Sequence, residues 1–104
     1  MTNFVLIYTG GTIPETEAEQ AEVMAAWGAW YEKLGEKVVD GGNPFSNSKH
    51  INASGINDGP GNDANIGGYT IITADSLDEA AALVEGHPHA NYGGSVSIYE
   101  TFRM

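Results

Sequence analysis

Between Asn3 and Thr9, Phe4, Leu6 and Tyr8 alternate with Val5 and Ile7, which predicts a strand with apolar residues on both faces, as a strand central to a sheet has. Gly68–Ala74 repeats the pattern in a more polar form, Tyr69, Ile71 and Thr73 alternating with Thr70, Ile72 and Ala74. The period changes over Glu15–Leu34, where Val23, Trp27, Trp30, Tyr31 and Leu34 recur at helical spacing and build one wide apolar stripe. Thr16 and Glu19 stand at capping-box spacing, and Glu15, Glu17, Glu19 and Glu22 load the early turns with the charge that the helix dipole favours. A second helix, Leu77–Glu85, repeats the device with Ser76 and Glu79 and offers Leu77, Ala80, Ala81 and Val84 for burial. Gly35 and Gly86 end the two helices, and strands at Lys37–Asp40 and Ser95–Phe102 follow.

The order β-α-β-β-α-β predicts an α+β, ferredoxin-like protomer, a four-stranded antiparallel sheet with two helices on one face. Two helices cover one face only, whereas the central strands are apolar on both. A second copy of the chain is therefore the expected cover, giving a homodimer. From Gly41 to Gly67 the chain turns to Gly, Asn, Ser, Asp and Pro, which reads as a long loop, functional or mobile, inside a single domain spanning 1–104.

Composition narrows the partners. Fourteen acidic residues face four basic ones, Lys33, Lys37, Lys49 and Arg103, which form no cluster to neutralise successive phosphates. Nucleic acid is not an expected partner, nor is an anionic membrane surface, and no apolar run is long enough to cross a bilayer. The first residues enter a strand with no leader-like segment, so a cytoplasmic location is expected and the Asn52-Ala53-Ser54 sequon carries no weight. There is no cysteine for disulfide or thiolate chemistry.

Five groups of residues bear on chemistry. Thr9-Gly10-Gly11-Thr12 resembles the TGGT signature of type I and II asparaginases, with Thr12 as the nucleophile, but the chain lacks the companion threonine, aspartate and lysine motif and is far shorter. It reads as a glycine turn. His87-Pro88-His89, joined by His50, offers three imidazoles. An HxH pair is one ligand short of a catalytic zinc site, and bringing in His50 would order a glycine-rich loop, so no metal and no cofactor is expected. Asp40-Gly41-Gly42-Asn43 and Asp58-Gly59-Pro60-Gly61 have turn chemistry, the former able to present a carboxylate and an amide. Trp27, Trp30 and Tyr31 serve equally as core or as the wall of an apolar cavity.

Gly68–Ala80, Gly86-His87-Pro88 and Gly93–Glu100, together with Trp27-Gly28-Ala29-Trp30, Leu34-Gly35 and Val38–Pro44, resemble the YCII-related family, including its DGPF branch. The resemblance implies a dimeric α+β barrel. Some members have a first-helix histidine proposed to act with an aspartate, but the first helix here has none, so no catalytic residue is carried over. The branch motif is matched only by Asp58-Gly59-Pro60, with Gly61 in place of phenylalanine. The expectation is a small organic ligand in a dimer-supported pocket, with Tyr8, Trp27, Tyr31, Asp40, Asn43, His50, Tyr69 and His87 as candidate ligand-binding residues. The alternative is a small cofactor-free lyase, isomerase or hydrolase using Asp40, His50, His87 or His89 as general acid or base. A purely structural or partner-binding role is the third reading.

Overall fold

The computed structural model describes residues 2–11, 14–59 and 66–103. Its elements are β1 (Thr2–Gly10), α1 (Glu17–Leu34), a 3-10 turn (Gly35–Lys37), β2 (Val38–Asp40), β3 (Lys49–Asn52), β4 (Gly55–Asp58), β5 (Ile66–Ala74), α2 (Leu77–Val84), α3 (Pro88–Asn91) and β6 (Gly94–Glu100). The main sheet has the order β2-β5-β1-β6, every pair antiparallel, with β5 and β1 in the centre. This is the ferredoxin-like arrangement that the pattern predicts.

Thr16 caps α1 by accepting from the Glu19 amide at 3.1 Å, so the helix begins two residues later than the acidic run suggests. Ser76 does the same for α2 through Glu79, and Trp30 ties the helices together by donating its indole N–H to the Leu83 carbonyl. The core lies between helices and sheet: Phe4, Leu6, Tyr8, Ile72 and Ala74 from the strands meet Trp30, Leu34, Ala80 and Val84. Leu77 and Ala81 are exposed, contrary to the expectation that α2 buries them. Leu77 is the first residue of the helix, at its open end, and Ala81 lies about 100° round from Ala80, whereas Leu83 packs on the core.

One further expectation is corrected. The 41–67 segment is not one unstructured loop: β3 and β4 pair as a hairpin closed at Asn52–Gly55, where the Asn52 side chain accepts from the Ser54 amide. Each of its strands has a single apolar residue, the paired Ile51 and Ile56, too few to reveal a period of two, and both remain mostly exposed. His87-Pro88-His89 forms the start of α3, with His87 as its N-cap and Pro88 in the first helical turn.

Candidate functional site

A cavity of about 560 Å³ opens at one end of the layer between α1 and the sheet, bounded by Tyr8, Trp27, Tyr31, Asn43, Thr70 and His89. It lies within the range of small-molecule sites. Along β5 the helix-side residues run Ala74, Ile72, Thr70, Gly68, so the strand loses apolar bulk toward this end, and Tyr8 of β1 pairs with Gly68. A Cβ on Gly68 would crowd the Asn43 and Pro44 backbone, and one on Gly42 (φ +75) would run into the Tyr69 carbonyl. These two glycines let the 41–44 segment cross the strand and wall the cavity. On the opposite wall Met24, Gly28 and Tyr31 share one face of α1, and a Cβ on Gly28 would enter open space.

Three hydroxyls join at the cavity floor. Tyr8 donates to Thr70 Oγ1 at 2.7 Å, Thr70 donates to the Gly41 carbonyl at 3.0 Å, and Tyr31 donates to that same carbonyl at 3.0 Å. Thr70 is fully buried. Burial, only partly offset by the Thr70 hydrogen bond, raises the Tyr8 phenol well above the usual tyrosine range, so it stays neutral.

The two α3 histidines, two residues apart, have different environments. His87 is fully buried among the rings of Tyr8, Trp27 and Trp30, at centroid distances of 5.0, 4.6 and 4.3 Å. Its Nδ1 accepts from the His89 amide at 3.0 Å, which leaves the proton on Nε2, where it finds no acceptor among the described residues. Burial, with His89 beside it, lowers its pKa to about 4. His89 lines the cavity, and its Nε2 lies 2.9 Å from the Thr9 carbonyl. The ring occupies a slot between two glycines: a Cβ on Gly11 would lie 2.8 Å from its Cε1, and one on Gly94 would overlap Nε2.

Of the sequence-predicted ligand set, Tyr8, Trp27, Tyr31, Asn43 and Tyr69 border the cavity, and the Tyr69 ring stacks on Phe45 at 5.8 Å. His87 is sealed behind Tyr8 and Trp27 rather than on the wall. Asp40 stands outside the lining, its carboxylate accepting from the Gly42 amide at 2.8 Å to hold the turn, and His50 sits on the β3–β4 hairpin, away from the cavity. Among the described residues no three His, Asp or Glu side chains gather to hold a metal. Thr12 of the TGGT motif and Pro60-Gly61 of the second turn lie outside the described residues. The ligand set missed Thr70, Gly28 and His89, the last named only as a general acid or base. A glycine in the interior of a helix, costing about 1 kcal/mol against alanine, is a legible signal, and here the side chain it leaves out would project into the cavity.

The YCII-related domain matches residues 3–104. The chain belongs to the YCII-related family. No curated protein matches it by sequence. Among solved structures, the 5-chloro-2-hydroxyhydroquinone dehydrochlorinase TftG from Burkholderia phenoliruptrix AC1100, in complex with 2,5-dihydroxybenzoquinone, shares the fold at a TM-score of 0.54. The two chains are 22% identical over 97% of this one and 95% of the other. No helix among the described residues is long and apolar enough to cross a membrane.

Proposed function

We propose that this YCII-related protein binds a small planar organic molecule in the cavity between α1 and the sheet. The observation that carries the reading is the cavity itself: about 560 Å³ walled by Tyr8, Trp27 and Tyr31, with an internally bonded hydroxyl cluster as its floor. Aromatic walls suit a flat ligand, since offset and edge-on ring contacts add to area burial. The likeness to a structure that holds 2,5-dihydroxybenzoquinone supports a ligand of this size and shape. The test is calorimetric titration with a panel of planar phenols and quinones, 2,5-dihydroxybenzoquinone among them. Saturable binding is expected, lost in Gly28→Leu, whose side chain fills the cavity from a helix that gains propensity. A panel with no binder ends the proposal.

The cofactor-free enzyme is the second reading, and one observation favours it. Of Asp40, His50, His87 and His89, only His89 lines the cavity. The purely structural role loses ground to a cavity of this size.

The assembly proposed with this function is a homodimer through the sheet face opposite the helices. That face presents Val5, Ile7 and Ile71, half-buried, with Tyr99 58% and Val39 53% exposed, while α1 and α2 pack on the other face. A second copy matches such a face by symmetry. Light scattering should report a dimer that Ile71→Asp converts to a monomer. A monomeric wild-type protein at micromolar concentration would remove the dimer and leave the cavity reading standing.

A further inference from the structure

We infer that His89 is the proton acceptor of this cavity and that the ligand carries a hydroxyl, phenolic or enolic, which donates to its Nδ1. The inference rests on the small-molecule reading above and names the chemistry of that ligand. A carbonyl oxygen can only accept, so the contact to Thr9 fixes the hydrogen of the neutral imidazole on Nε2. Nδ1 is left with an unshared pair and no hydrogen-bond partner among the described residues, on a side chain that lines the cavity.

Accounting for the hydroxyl protons leads to the same ligand. Tyr8, Thr70 and Tyr31 all spend theirs within the protein, on Thr70 Oγ1 and the Gly41 carbonyl. What the Tyr8 and Tyr31 oxygens keep for a ligand is lone pairs, so this wall is matched by a molecule that brings donors. Trp27 and Asn43 also border the cavity, and neither the indole N–H nor the Asn43 side-chain amide makes a hydrogen bond among the described residues, which leaves donors for a carbonyl on the same ligand. A hydroxylated aromatic or an enol bearing a carbonyl satisfies both sets.

The imidazole is also well placed as a base. The Gly11 and Gly94 slot holds the ring, and the Thr9 carbonyl strengthens its contact with Nε2–H as the ring becomes cationic. In the transfer, the ligand O–H bond breaks, its electron pair stays on oxygen, and the proton forms an N–H bond at Nδ1. The imidazolium then bridges the Thr9 carbonyl and the ligand oxyanion.

The test compares 4-nitrophenol with 4-nitroanisole, which has the same ring but no hydroxyl proton. The wild-type protein should bind the phenol roughly tenfold more tightly, the value of one hydrogen bond made to a basic partner. His89→Gln retains an N–H for Thr9 but has no basic nitrogen in place of Nδ1, and should bind the two probes with equal affinity. Nitrogen-15 NMR of the wild-type imidazole needs no variant: its Nδ1 signal should move toward the protonated range with 4-nitrophenol and stay in place with 4-nitroanisole. Equal affinity of the wild-type protein for the two probes, a preference that survives in His89→Gln, or an unmoved Nδ1 signal would overturn the inference and leave the cavity reading intact. Binding of neither probe overturns both.

Discussion

The layer between helices and sheet has two ends built from the same strands, one filled and one open. At the filled end Phe4, Leu6, Ile72 and Ala74 face Leu34, Ala80 and Val84, hydrocarbon against hydrocarbon. At the open end, two residues further along each strand, the same face offers Tyr8, Thr70 and Gly68 to Trp27, Tyr31 and Gly28. Paired strands thus change from aliphatic bulk to hydroxyls and glycine within one register step. A core stabilises by removing apolar surface and leaving no void, whereas a site must give up packing there and hold its polar groups by hydrogen bonds. The two ends divide those tasks.

The largest effect should separate the ends directly. Leu6→Ala leaves a cavity in the filled end and should cost about 2–5 kcal/mol in urea unfolding. Tyr31→Phe at the open end removes one hydrogen bond to a backbone carbonyl and should cost about 1 kcal/mol. Comparable losses would mean that the open end is packed as core.

The next prediction concerns His87, at the boundary of the two ends. Its folded-state pKa of about 4 lies below the ordinary histidine value of 6.5, so between those pH values the unfolded chain binds a proton that the native state refuses. Stability should therefore fall as pH drops from 6.5 toward 4, by roughly 2 kcal/mol from this group. His87→Gln should show a shallower fall over that window in urea midpoints. An unchanged slope would mean that the buried imidazole takes its proton without opening the aromatic cage.

The smallest effect sharpens the contrast most. Gly28→Ala adds a methyl group toward open space on α1, so it should stabilise the fold by up to about 1 kcal/mol through helix propensity while weakening ligand binding in the cavity. Loss of stability in that variant would show that the open end has no room to give.

The sheet, the two main helices and their caps follow from local chemistry. Alternation in Asn3–Thr9 and Gly68–Ala74, the stripe from Val23 to Leu34, and the Thr16 and Ser76 caps each involve residues only a few positions apart, which is why they are legible in the sequence. The β3–β4 hairpin was hidden because a single exposed isoleucine per strand carries no periodicity.

The site was partly legible: aromatic residues at Tyr8, Trp27 and Tyr31 could be named as candidates, though their helical and strand spacing reads equally well as core. Only tertiary structure separated Trp30, buried against Leu83, from Trp27, which borders the cavity. It also set apart two histidines two residues apart, sealing His87, the one named for the ligand set, among rings and setting His89, left out of that set, in a slot between Gly11 and Gly94. Periodicity depends on neighbours along the chain. Burial, the tautomer of an imidazole and the partner of a hydroxyl depend on groups some 30 to 80 residues away that meet only when the sheet closes, as Tyr8 meets Thr70 and His89 meets Thr9.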